Sequence, residues 1–502
     1  MNLSLLGFTT TGLSVVSAAV LTFCSPAASA QTTQYALIAQ DHVALRNAPR
    51  DAAPQQAQLW QGELVELRGE RLDYAQVWDT RRERGGYVRM SQVRRVSFTP
   101  DQADSLLAVL RFVKDAPGSE GLTFGYGAAW LKAASADQMS GAAGAQVLDA
   151  LGNAAERLAS RASSTGLSKT AQETVTAQLD AAQRYGIRFE SVEQNGKMRI
   201  CYDGDVFARL LAIAAASSEH KTRAALALSR NDCDDPQLAL KNPLEQAKQE
   251  EWRAAVLDKA DAQNLPAYLH NRLQMRRASV WSTVAFDRSR KGLPTAQLAA
   301  QRALDALGAV NKSELPDEDV AAHNDAIMRV NASRWAAAPI AAASSSNLSI
   351  RMEASSNLGE TCVQLMSAQQ MLAKRCTYGI VWQASWSVNR EGNAGALAVQ
   401  TMANWREMWV FRKLAGQWTI DVLPPAATLP ELGYAELAGW VQGGEYMLVA
   451  REARGEGKYK LSYEVMEIST LSAKRQASDA SILGAFQRWQ QPQWKQMSVS
   501  LR

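Results

Sequence analysis

Apolar and polar positions follow one rhythm after another along this chain, and each change of rhythm marks a boundary. Residues 1–30 contain no Asp, Glu, Lys or Arg, and an apolar core runs from Leu13 to Phe23. That core is shorter than the roughly 20 residues a membrane-spanning helix needs. It leads into Ala28-Ser29-Ala30, and small residues at −3 and −1 predict an export signal cleaved after Ala30. The segment departs from the usual pattern in lacking Lys or Arg ahead of its core. The competing lipoprotein site at Cys24 fits less well, because Phe23 stands where Gly, Ala or Ser is usual.

From Tyr35 the rhythm becomes short and strand-like. Val43-Ala44-Leu45-Arg46, Glu63-Leu64-Val65-Glu66-Leu67 and Tyr74-Ala75-Gln76-Val77-Trp78 are separated by turn signals such as Asn47-Ala48-Pro49 and Gly85-Gly86. The period of two puts Tyr74 and Trp78 on one face with Gln76 between them. About five short strands over residues 34–96 predict a small β-barrel.

Residues 99–337 read as helices. Thr99-Pro100-Asp101-Gln102 offers a capping box, with Thr99 as cap and Gln102 three positions on. Leu106, Leu107, Leu110 and Val113 then recur at helical spacing. Further helices are expected at about 127–136, 144–163, 168–184, 204–215, 218–229, 243–261, 265–288, 294–309 and 317–337. Asn195-Gly196 predicts a β-hairpin between residues 188–192 and 198–202. Trp252, Trp281 and Trp335 fall on helices, where Trp is more often core than ligand-binding. Residues 338–348 are small and linker-like. From 349 to 502 the chain turns strand-like again, and eight of its 14 Trp lie from Trp382 onward. The fold class predicted is multidomain α+β: a small barrel, a mainly helical domain with one hairpin, and a mainly β C-terminal domain.

Four landmarks of the first domain resemble the bacterial SH3 family in order: Val43-Ala44-Leu45-Arg46-Asn47-Ala48-Pro49, Gly62-Glu63-Leu64-Val65, Tyr74-Ala75-Gln76-Val77 and Gly86-Tyr87-Val88. The resemblance implies an SH3-like barrel that binds cell-wall peptides or docks on another protein. It makes Tyr74, Trp78 and Tyr87 candidates for an aromatic groove; the alternative is that they fill the barrel. Near the C-terminus, Trp386 to Arg412 and Trp440 to Ile468 repeat a turn–strand–strand order similar to blades of periplasmic β-propellers. About three blades fit there, fewer than a propeller needs, so a meander or small stack of sheets is expected.

Composition narrows the chemistry. At 502 residues the chain is too long for one core and suggests about three domains. A net charge of +4 argues against a nucleic-acid binder. Without Cys24 four cysteines remain, Cys201, Cys233, Cys362 and Cys376, which allow three pairings in an oxidising compartment. Chain order favours Cys201–Cys233, which brackets a helix pair, and Cys362–Cys376. Arg81, Arg82, Arg84, Arg89, Arg94 and Arg95 crowd the end of the first domain. Together with Arg46 they are candidates for anion contact, against the plainer reading as solvated strand faces.

No catalytic set emerges. Asp232-Cys233 is followed by acids and Pro236, the four His sit in no partner motif, and neither a Gly-x-Ser-x-Gly elbow nor a His-Glu-x-x-His helix is present. Asp203 and Asp205 could join the acids around Cys233 in holding calcium, but helix capping explains them more simply. No cofactor or metal is expected. The reading is a non-enzymatic envelope protein, periplasmic or secreted, that docks on peptidoglycan or an envelope protein. The alternative is a wall hydrolase with a carboxylate pair in a cleft between the helical and β domains.

Overall fold

The computed structural model describes residues 33–194, 196–339, 347–427 and 430–500. The export signal, its cleavage point and Cys24 lie outside the described residues, as do Asn195 and most of the linker at 338–348. The chain is α+β and multidomain, with an N-terminal sheet, a central helical region and C-terminal sheets. Among the described residues, no helix is long and apolar enough to cross a membrane.

Seven strands open the described chain: β1 (Gln34–Ile38), β2 (Val43–Arg46), β3 (Gln55–Leu59), β4 (Leu64–Arg71), β5 (Tyr74–Asp79), β6 (Arg84–Arg89) and β7 (Val93–Val96). They pair in the order β3-β2-β6-β5-β4-β1-β7, which leaves β3 and β7 as edges. Ala36, Ile38, Val43, Leu45, Leu59, Val65, Ala75, Val77, Val88 and Val93 form a single core drawn from every strand, so the sheet curls around it.

The helical region comprises α1 (Ala103–Val113), α2 (Glu120–Ala133), α3 (Ala136–Ser140), α4 (Ala142–Ala162), α5 (Lys169–Arg184), the hairpin β8 (Phe189–Gln194) and β9 (Lys197–Tyr202), α6 (Asp205–Ala212), α7 (Ser218–Leu228), α8 (Leu238–Lys241), α9 (Pro243–Asp258), α10 (Ala267–Arg290), α11 (Ala296–Gly308) and α12 (Val320–Ser333). It has two cores. One gathers α1, α2 and α4–α7 and takes in Leu37 and Val96 of the sheet. The other gathers α9–α12, with Ala225 of α7 at the boundary.

Three details differ from expectation. The capping box at Thr99 does not form: the Thr99 hydroxyl pairs with Ser97, Gln102 turns to Asp101, and a 3-10 turn precedes α1. Helix α2 starts seven residues earlier than its expected 127 and is buried nearly all round, so it has no apolar stripe to reveal it. Trp281 is core at 6% exposure, whereas Trp252 is 48% exposed.

Glycine joins the sheet to α2. A Cβ on Gly62, whose φ is +84°, would lie 2.1 Å from the Gly121 carbonyl oxygen, and one on Gly125 would lie 2.8 Å from Leu37. Only glycine lets the two backbones approach this closely. Disulfides Cys201–Cys233 and Cys362–Cys376 both form, the first across the α6–α7 pair and the second across the neighbouring strands of the next region.

The C-terminal region runs β10 (Leu348–Ala354), β11 (Thr361–Ser367), β12 (Gln370–Thr377), β13 (Ile380–Val388), β14 (Ala394–Met402), β15 (Trp405–Leu414), β16 (Gln417–Leu423), β17 (Leu432–Trp440), β18 (Tyr446–Gly455), β19 (Lys458–Glu467) and β20 (Ala473–Ala477), closed by α13 (Gly484–Trp489) and α14 (Pro492–Ser500). Cys362 and Cys376 stand directly opposite in the β11–β12 register. The strands form three successive meanders, β10–β12, β13–β16 and β17–β20. The second and third join through a short parallel contact of Trp405-Arg406 with Gly433-Tyr434. Apolar cores lie between the first and second meanders, between the second and third, and between the third and α13–α14. The region is thus a stack. The two look-alike segments occupy equivalent places, each ending the first strand and supplying the next two strands of a four-stranded meander.

Candidate binding face of the N-terminal sheet

In β5 the core takes Ala75 and Val77, so the alternate positions Tyr74, Gln76 and Trp78 face the other way. Strand register carries the same face onto β6 and β2: Tyr87 lies opposite Gln76, Gly85 opposite Trp78, Arg89 opposite Tyr74, and Arg46 opposite Tyr87. Of the expected binding residues, Arg46, Tyr74, Trp78, Tyr87 and Arg89 therefore share the outer face. None of the three aromatic rings belongs to the sheet's core.

They are not equally open. Tyr74 is buried, its hydroxyl donating to Asp51 and its ring covered by the Arg89 guanidinium at 5.2 Å. The Tyr74 hydroxyl, followed by Arg89, holds the Asp51 carboxyl below the usual range. Trp78 and Tyr87 are half-buried, and Gln76 between them is exposed. Two glycines keep this strip open. Gly85 lies where a side chain would press on the Trp78 indole, its added Cβ falling 3.2 Å from the ring, and Gly69 sits opposite Gln76. The Arg68 guanidinium rests over the Trp78 ring at 4.3 Å and is tied to Glu66 at 3.2 Å.

The arginine cluster is placed differently. Arg81 and Arg82 reach the junction with α5 instead of the outer face. Arg82 bonds Glu63 and Asp79 at 3.1 and 2.6 Å, and Arg81 pairs with Asp180 of α5 at 2.7 Å. Arg184 of α5 adds a third guanidinium to Glu63 at 3.3 Å. Burial pushes the Glu63 carboxyl up, and Arg82 pulls it back. Arg84 donates to the Gln56 carbonyl, Arg94 to those of Ser91 and Val93, and Arg46 to that of Ala53. Arg89 pairs with Asp51 and Asp73, and Arg95 with Glu70. Every arginine of the cluster thus has a partner within the chain. Its density is explained by acids and carbonyls that sequence order scatters over more than 100 residues.

The acids considered for calcium are similarly engaged. Asp203 pairs with Arg188, Asp205 with Arg209, Asp232 with Arg199 and Arg230, and Asp234 with Arg253. Among the described residues, one group lies within metal-binding reach of one another, Glu360, Cys362 and Cys376. Its cysteines are spent in a disulfide and cannot act as thiolate ligands. Where the helical region meets the C-terminal stack, Glu436 accepts from Arg334 and Arg406, each at 2.7 Å, and from the Trp494 indole at 2.7 Å. At the same junction Asp325 of α12 accepts from Arg454 and Tyr459 of the stack.

Sequence reasoning missed Gln76, Gly69, Gly85 and Arg68. Gln76 was legible as the residue between two aromatics on one face, but the glycines acquire a role only once the register is known. Comparison with protein-family models, with curated proteins and with solved structures finds no match to this chain.

Proposed function

We propose that the protein is a non-enzymatic envelope binding or scaffold protein whose N-terminal sheet is an SH3-like module that docks on peptidoglycan or on an envelope protein. The observation that carries this reading is the outward, half-buried placement of Trp78 and Tyr87 around an exposed Gln76. Half-exposed aromatics beside an amide offer apolar area and hydrogen bonding at little entropic cost, as peptide-recognition surfaces do. Two disulfides are compatible with an oxidising compartment such as the periplasm. The face-packed meanders support the likeness to propeller blades and would serve as a second interaction surface.

The test is co-sedimentation of the full chain with intact peptidoglycan sacculi, beside the variant Trp78→Ala/Tyr87→Ala, with soluble muropeptides assayed in the same tubes. Point variants are required because Leu37 and Val96 belong to the helical core, so removing the sheet would damage the helices. The reading expects the wild type to pellet, the variant to stay in solution, and no muropeptide release. Equal pelleting of the two proteins would remove the outer face from the account, and muropeptide release would make the protein a hydrolase.

A further inference from the structure

A second feature lies on the opposite flank of the sheet, where it meets α5. An open groove of about 730 Å³ is lined by Trp60 and Arg81 from the sheet and by Lys169, Gln172, Glu173, Thr176, Ala177 and Asp180 from α5. Its volume is in the range of ligand-binding clefts. The α5 residues recur at i, i+3, i+4, i+7, i+8 and i+11, which is one helical face. They form the polar face of the helix, while Val175, Gln178 and Ala182 bury the neighbouring face. The side chains of Lys169, Gln172, Glu173 and Thr176 make no hydrogen bond or ion pair among the described residues. Four free donor and acceptor groups therefore face one half-buried indole.

The walls are fixed in place. Gln178 donates to Asp41, the Tyr185 hydroxyl donates to the Gly62 carbonyl, and His42 reaches Thr174 at 3.2 Å while backing the Trp60 ring at 4.5 Å between centroids. Arg81 bridges to Asp180 across the groove. Such bonds preorganise a site, so little ordering is required when a ligand enters. The lining carries two cations, Arg81 and Lys169, against two anions, Glu173 and Asp180. A balanced lining of this kind suits a neutral, polar ligand better than an ion.

We propose that this groove binds a linear saccharide chain. A pyranose ring has an apolar face of C–H groups that covers an indole, and an equatorial rim of hydroxyls that can both donate and accept. Trp60 meets the first, and Gln172, Glu173, Thr176 and Lys169 meet the second. An open groove admits a chain that continues beyond it, where a closed pocket would require a free end. The inference is independent of the outer-face reading, because none of the groove residues lies on the Trp78–Tyr87 face.

The experiment is isothermal titration of the full chain with chitotetraose and, separately, with cellotetraose. Three proteins are compared: wild type, Trp60→Ala and Gln172→Ala/Thr176→Ala. The proposal expects the wild type to bind at least one of the two saccharides. It expects Trp60→Ala and the helix-surface pair each to weaken that binding by about tenfold or more. The helix-surface pair guards against misfolding, since exposed Gln and Thr to Ala on a helix is well tolerated. If the wild type binds neither saccharide, or if binding survives in the helix-surface pair, the proposal is overturned.

Discussion

The helical region is joined to a sheet at each end, and both junctions are organised by one buried glutamate that gathers arginines from the two sides. At the N-terminal junction Glu63 collects Arg82 and, more loosely, Arg81 from the sheet, with Arg184 from α5. At the C-terminal junction Glu436 of β17 collects Arg406 of β15 and Arg334, which follows α12. The difference lies in what surrounds the guanidiniums. Arg81, Arg82 and Arg184 keep 44, 24 and 32% of their side chains exposed, whereas Arg334 and Arg406 keep 3 and 0%. Burial holds the Arg406 guanidinium down to about 10, despite Glu436 beside it. The same motif therefore does two jobs. Next to water it leaves charged side chains that can line a groove, and sealed from water it acts as a fastening.

The comparison predicts unequal costs. Glu436→Ala leaves two guanidiniums and the Trp494 indole buried without their acceptor, so it should lower stability by about 3–5 kcal/mol. Chemical denaturation of the full chain measures this. Glu63→Ala should cost less, about 1–2 kcal/mol, because its arginines can turn to water or to Asp79 and Asp180. A larger loss from Glu63→Ala than from Glu436→Ala would break the comparison.

A third acid sharpens it. Asp287 on α10 has no arginine contact of this kind among the described residues, and burial, with Glu250 nearby, pushes its carboxyl up to about 6. Its folded pKa lies above the unfolded value of 3.8, so the folded state holds the proton longer. Stability is then fully present below 3.8 and is lost as pH rises toward about 6. Asp287→Asn should remove that loss, raising stability at pH 7.5 by about 1 kcal/mol after allowance for solvent screening and leaving it unchanged at pH 3.5. Thermal melts of both proteins across this range supply the test, and a benefit that grows toward acid would contradict it.

Much of this architecture was legible where side-chain spacing alone decides structure. The helices α4–α7 and α9–α12 are legible in the sequence, the short α8 is not, and the period of two in β5 places Tyr74 and Trp78 on one face. Which face was the core could not be read, because it depends on Ala75 and Val77 fitting against Ala36, Leu45 and Val88 from three other strands. Helix α2 was mistimed because Gly121, Gly125 and Gly127 look like punctuation, yet each lets a neighbour approach closely: Gln61, Leu37 and Leu151 respectively. The groove was invisible for a related reason. Trp60 and Gln172 are far apart in the chain, and the contacts of the sheet with α2 and α5 together bring them close.

That glycine contact also bears on the order of events during synthesis. Leu37 is the first core residue of the helical unit to be made, and the packing it needs comes from α2, with α5 completing the junction at Glu63 and Gly62. At common rates of translation, the stretch from Val96 to Arg184 takes roughly 5–20 s to emerge. For that interval the sheet waits with one flank uncovered, so its strands are completed only when α2 and α5 have followed them.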